Sequence, residues 1–214
     1  MTFRNETAGT VILDLIRTIQ SNKDYLSEVD GKIGDGDHGI NMNKGFTITE
    51  EKLGNRAFSM SDGFRVLGET LMEDIGGSMG PLYGVFFEEL SLASGKKVRI
   101  DEKVFGNMLQ NAADAVQEIG DAQVGDKTLM DTLLPALDAY NAACAEGKSF
   151  AEALEDMRQA AKDGWRSTED MVARIGRASR LGERSRGVLD AGATSCYLIL
   201  DSMARSMIKM LKQE

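Results

Sequence analysis

Three carboxylates fall within eight residues, at Asp30, Asp35 and Asp37, in a run that also holds Gly31, Gly34, Gly36, His38 and Gly39. Asp35 and Asp37 stand two apart in a glycine-rich turn, so both can aim at one point. Asp30 can reach the same point from the end of a preceding helix. Three hard oxygen donors with no cysteine among them suit Mg²⁺, which keeps several coordination positions for water or phosphate. An acidic solvated loop, with Asp serving as turn residues and caps, explains these residues equally well when they are taken alone. Taken alone, His38 reads as a hydrogen-bonded structural residue. Gly34, Gly36 and Gly39 spell G-x-G-x-x-G, but Asp35 and Asp37 would set two negative charges against a pyrophosphate, and no strand precedes them. A calcium loop counted from Asp35 also fails, because its sixth position is Ile40 and its twelfth is Phe46, where Gly and a bidentate Glu are required.

Three other stretches bear on the same chemistry. Gly76, Gly77, Ser78, Met79, Gly80 and Pro81 place a glycine turn ahead of a helix whose first amides are unpaired, an arrangement that can take phosphate or simply turn the chain. Gly120 and Gly125 have P-loop spacing, but Asp126 stands where lysine is required and a helix precedes, so a P-loop is excluded. Arg174, Arg177, Arg180, Arg184 and Arg186 fall within thirteen residues of an acidic chain. Clustered guanidinium groups can hold phosphate by paired hydrogen bonds; Glu183 and Asp190 nearby offer them internal partners instead. An acidic metal loop, a glycine turn at a helix start and an arginine loop are together the parts of a polyphosphate site.

Helices must position these loops. Two Pro, 6% aromatics and 12 Met in 214 residues favour helix over a sandwich or barrel of strands. Val11, Ile12, Leu15, Ile16 and Ile19 make an apolar stripe that predicts a helix over 7–20. Further helices are expected at 23–29, 42–52, from a Ser61 cap through Ile75, from Pro81 through Leu90, from an Asp101 cap to Gly120, at 129–145 despite Pro135, at 149–172 and at 193–211. No period-two alternation marks a strand. The expectation is a single all-α domain, 1–214, of about eight helices, with the site where inter-helix loops converge. The net charge of -9 argues against a nucleic-acid binder. Cys144 and Cys196 are read as reduced thiols, and no apolar run reaches the ~18–20 residues of a membrane span. A cytoplasmic location is expected.

The motifs Gly34–Met42, Gly76–Gly84, Gly125–Thr128 and Gly176–Arg184, running on to Asp190–Ser195, closely resemble the L subunit of bacterial dihydroxyacetone kinase over essentially the whole length. The resemblance implies an antiparallel barrel of eight helices holding ADP or ATP at one end through two Mg²⁺ ions. It implies metal ligation by Asp30, Asp35 and Asp37. It implies nucleotide contacts from His38, Gly39, Ile40, Asn41, Ser78, Met79, Gly120, Leu129, Arg177, Asp190 and Gly192. It further implies a K subunit carrying the ketose, and a phosphotransferase-system subunit that recharges ADP in place; a related form uses exchangeable ATP. A homodimer is compatible with it. Two positions depart from the family pattern: Ser78-Met79 stands for Ala-Ser, and Asp190-Ala191-Gly192 for Asp-Pro-Gly. The same residues would also serve an ATP-dependent kinase of a different ketose, a nucleotide-sensing module for a transcription regulator, or a metal-dependent phosphohydrolase.

Overall fold

The computed structural model describes residues 1–213. Nine α-helices occupy most of them: α1 Thr10–Ser21, α2 Lys23–Gly31, α3 His38–Leu53, α4 Met60–Asp74, α5 Met79–Ser94, α6 Glu102–Gly120, α7 Met130–Ala145, α8 Phe150–Ser167 and α9 Ala191–Leu211. Eight of them close an antiparallel ring in the order α1, α3, α4, α5, α6, α7, α8, α9 and back to α1. The ninth, α2, lies outside the ring and packs on α3 and α9. Because neighbouring helices alternate in direction, every second connection emerges at the same end. Residues 32–37, 75–78, 121–129 and 168–190 therefore gather there. No helix among the described residues is long and apolar enough to cross a membrane.

The apolar stripe that predicted α1 faces the ring's interior. Val11, Ile12, Leu15, Ile16 and Ile19 are all fully buried. Phe87 stacks or meets edge-on with Phe46, Phe64, Phe86 and Tyr83, filling the centre between α3, α4 and α5. A second aromatic cluster joins Phe3, Phe105, Tyr140 and Phe150. Helices α4 and α5 approach so closely at Gly68 that a Cβ there would lie 2.9 Å from both Gly84 O and Glu88 N.

Several local expectations shift. The α4 cap is Ser59, whose hydroxyl accepts from Asp62 N; Ser61 is instead buried, its amide bonded to Asn5 Oδ1 at 3.1 Å. The Asp101 cap stands, accepting from Val104 N at 2.8 Å, and Ser149 forms a full capping box with Glu152. The helix from Ser149 ends at Ser167 and passes into a 3-10 turn, Thr168–Asp170. Helix α3 begins at His38, four residues ahead of the periodicity, so Gly39 is helical. A Cβ there would strike Lys23 O and Ser27, and the missing side chain serves the packing of α3 on α2. Phe3–Arg4 and Arg99–Ile100 form a two-stranded antiparallel pair too short to leave a period-two signal. Pro135 stays inside α7, where the glycine of α8, Gly164, packs directly against the carbonyl freed at Asp131. Cys144 and Cys196 are free thiols.

Candidate functional site

A cleft of about 560 Å³ opens at the end of the ring where the four connections gather. Asp30 ends α2, and Asp35 and Asp37 follow in the turn before α3. One carboxylate oxygen from each lies within 4.8 Å of the other two. This all-oxygen set fits a hard divalent cation such as Mg²⁺ and has room for ligands from outside the chain. The guanidinium of Arg177 pairs with Asp35 across the cleft, so the arginine segment and the acidic loop face one another.

Opposite them, Ile75, Gly76, Gly77 and Ser78 lead into α5. Gly77 adopts φ +77°, a left-handed conformation that only glycine takes without strain, and a Cβ at Gly76 or Gly77 would meet open space. Ser78 makes no side-chain cap, so the first amides of α5 depend on neither hydroxyl nor carboxylate of this chain.

Beneath the cleft, three elements are tied by one hydrogen-bonded cluster. His38 Nε2 lies 2.9 Å from Ser195 Oγ, Tyr83 Oη lies 2.7 Å from the same oxygen, and Tyr83 donates to Gly192 O at 3.0 Å. The cluster joins the starts of α3 and α9 to α5. Burial pushes the His38 imidazole down to about 4, against the opposing pull of the Asp30 carboxylate, so the ring is neutral at neutral pH. Asp190 caps α9, accepting from Ala193 N at 2.7 Å. Burial lifts its carboxyl to about 6, while the Ala193 amide and the Lys127 ammonium pull the other way. Asp131 holds the α6–α7 connection by accepting from Gly125 N at 2.6 Å and Thr128 N at 2.7 Å.

The sequence-predicted residues fall into two groups. Asp30, Asp35, Asp37, His38, Asn41, Ser78, Met79, Gly120, Leu129, Arg177, Asp190 and Gly192 all line the cleft. Gly39 is buried against α2, and Ile40 is 54% exposed; neither lines the cleft. The sequence reading missed Tyr83, Lys127 and the apolar wall of Leu82, Val116, Ile119 and Met130. Tyr83 and Lys127 sat inside the quoted motifs, Pro81–Gly84 and Gly125–Thr128. The wall residues continued helical stripes, and periodicity does not distinguish the end of a core from the side of a cleft.

Residues 32–205 match the DAK2 domain. The ADP-binding subunit DhaL of the PEP-dependent dihydroxyacetone kinase of Escherichia coli is 38% identical over 187 residues, covering 86% of this chain and 88% of that protein. The DhaL subunit of PEP-dependent dihydroxyacetone kinase 2 of Listeria innocua is 34% identical, covering 94% of both chains. The L-erythrulose kinase of Pectobacterium atrosepticum is 31% identical over 87% of this chain, which spans 32% of that enzyme. The crystal structure of the dihydroxyacetone kinase of C. freundii in complex with AMP-PNP and Mg²⁺ matches with a TM-score of 0.66 at 25% identity, over 94% of this chain and 33% of that one. On sequence, helical ring and cleft alike, this chain belongs to the DAK2 domain family.

Proposed function

We propose that this chain, acting as one domain over 1–214, is the ADP-binding, phosphoryl-transferring subunit of a dihydroxyacetone kinase. It carries Mg-nucleotide to a ketose held on a separate K subunit. The observation that carries this reading is the meeting of Asp30, Asp35 and Asp37 with Arg177 and the α5 N-terminus on one cleft. Near end-to-end likeness to DhaL subunits supports it.

Asp30, Asp35 and Asp37 would hold Mg²⁺, two ions on the family pattern, and the metal would neutralise and align the phosphates when bound. The remaining work belongs to the chain. The amides that open α5 donate hydrogen bonds to phosphate oxygens, and the positive end of the helix dipole favours the same charge. Arg177 adds a guanidinium that can move from Asp35 to phosphate. Leu82, Val116, Ile119 and Met130 offer an apolar wall to a base. His38 is neutral and engaged with Ser195, so it orients and does not act as an acid. The cleft is claimed by nucleotide, which leaves the acceptor hydroxyl to arrive on the K subunit. A phosphotransferase-system subunit then recharges ADP in place, in the cytoplasm.

The likeness to erythrulose kinases favours a second reading of the substrate alone, a four-carbon ketose in place of dihydroxyacetone. One experiment addresses both. The purified protein is analysed for co-purifying nucleotide and then assayed with a K subunit on dihydroxyacetone and erythrulose. The phosphoryl source is either phosphoenolpyruvate with the phosphotransferase components, or ATP. Transfer that needs the K subunit supports the assignment. Hydrolysis of nucleotide without it, or no bound nucleotide at all, overturns it.

A further inference from the structure

Lys127 is 2% exposed, an unusual place for an ammonium group, and its three protons are all spent on backbone carbonyls. Nζ donates to Met171 O at 3.2 Å, to Ser185 O at 2.6 Å and to Val188 O at 2.5 Å. Met171 lies on the incoming side of the arginine segment, and Ser185 and Val188 lie on its outgoing side. Residues 172–184 therefore form a loop whose two feet are drawn together on one cation. At the far reach of that loop stands Arg177, paired with Asp35 across the cleft.

Other contacts tie the same neck. Ala173 N donates to Ser185 Oγ at 2.9 Å, Gly187 N donates to Glu169 O at 2.7 Å, and the Arg186 guanidinium reaches Asp170 O. These join the feet to each other. Lys127 anchors them to the opposite wall, the α6–α7 connection, where Arg174 N also donates to Asp126 O at 3.1 Å. Lys127 itself sits at φ +63°, left-handed backbone that a lysine adopts only when its surroundings demand it. With every proton committed, Nζ has none left for phosphate, so the lysine of the Gly125–Thr128 motif works through the loop it holds.

We infer that Lys127 is a positioning residue that fastens the Arg177-bearing loop across the cleft and thereby sets how long bound nucleotide is retained. The inference rests on the nucleotide reading above for what is retained, and on the three carbonyl bonds for the fastening.

Two measurements test it. Hydrogen exchange on the wild-type protein without nucleotide reads the fastening directly. The amides of Ala173, Arg174 and Gly187 should be protected, and exchange at the rate of a free loop overturns the inference whatever any variant does. Release of Mg-ADP is then followed by stopped flow for wild type, Lys127→Met, Lys127→Gln and Arg177→Ala, and for Lys127→Met combined with Arg177→Ala. Each is measured where circular dichroism shows native helix. Lys127→Met should release nucleotide about tenfold faster, Lys127→Gln should fall between, and Arg177→Ala should add little once Lys127 is gone. Full additivity of the two changes, or unchanged release from Lys127→Met, means that the lysine only supports the fold and overturns the inference. If Lys127→Met and Lys127→Gln do not fold, the exchange result decides. A wild-type protein that binds no Mg-ADP but protects those amides fails the nucleotide reading and leaves the fastening intact.

Discussion

Ser195 Oγ sits 2.9 Å from His38 Nε2, which locks the first residue of α3 to the second turn of α9. These helices are neighbours of α1 and of each other's loops, yet they stand 157 residues apart in sequence. The bond matters because His38 directly follows the acidic turn. Whatever fixes the imidazole also fixes the exit of that turn, and Tyr83 fixes Ser195 from the third side. The carboxylate cluster is thus held from below by hydrogen bonds among His38, Ser195 and Tyr83, of which Ser195 and Tyr83 are buried and His38 edges onto the cleft.

His38 is the sole histidine, so its imidazole signals stand alone in a proton NMR spectrum. Titration should give a midpoint near pH 4, where an unperturbed histidine gives about 6.5. The sign follows from the lowered value. Between about pH 4 and 6.5 the unfolded chain takes the proton and the folded one does not, so this group's contribution to stability rises with pH and is complete above 6.5. Asp190, raised to about 6, runs the other way: its contribution is greatest below about pH 4 and is lost as pH climbs to 6. Asp190→Asn should therefore steepen the loss of stability on acidification from pH 6 to 4. An ordinary histidine midpoint would contradict the buried neutral ring.

Replacing a metal carboxylate should separate binding from folding. Asp35→Asn and Asp37→Asn lie on an exposed turn, so helical content should hold and unfolding stability without ligand should stay within about 0.5 kcal/mol of wild type. Calorimetry with Mg²⁺ and ADP should show binding lost in both. Retained affinity in both would remove the acidic turn from the site.

The glycine turn should respond to backbone changes and ignore side-chain ones. Ser78 makes no side-chain cap, so Ser78→Ala should cost at most about 1 kcal/mol of nucleotide affinity. Met79→Ser should be tolerated. Gly77→Val must force a branched residue into φ +77°, a strain of about 1–3 kcal/mol, and should impair binding far more. Equal damage from Ser78→Ala and Gly77→Val would make the Ser78 hydroxyl a direct phosphate ligand.

Ligand should stabilise what it bridges. Mg-ADP at a hundredfold excess over its Kd adds about 2.7 kcal/mol to the folded state. At this chain length that corresponds to a rise of roughly 5–10 °C in melting temperature. Chelation of the metal should reverse it, since without the cation Asp30, Asp35 and Asp37 set negative charge against the phosphates. Identical melting with and without Mg-ADP would count against a nucleotide in this cleft.

Helices and their inward faces were legible because burial of a stripe is what the periodicity records: the five apolar residues of α1 and the cap at Asp101 are where pattern and chemistry put them. The crowding of the acidic turn was legible because three carboxylates within eight residues stay close in any fold, while its use as a metal loop came from the resemblance. What escaped depends on partners distant in sequence. Ser59 and Ser61 are equally good caps on composition, and only Asn5, buried against Ser61, decides between them. Gly39 reads as loop glycine until α2 is seen lying against it. Lys127 enters the sequence only as a lysine one place too late for a P-loop, because the carbonyls that bury it belong to residues 44 to 61 positions away.

The placement of α2 outside the ring divides the molecule into a frame and an insert. The ring closes through α1 and α3 without it, yet α2 carries Asp30 and delivers the chain to Asp35 and Asp37. Drift at the insert's exposed positions leaves the frame's seams untouched, whereas drift at Leu26, buried in the core, at Ser27 against Gly39, or at a seam such as Gly68 against Gly84 does not. A lineage could thus retune its metal grip by exchanging one short segment, and an engineer could transplant residues 23–37 between relatives and expect the recipient still to fold.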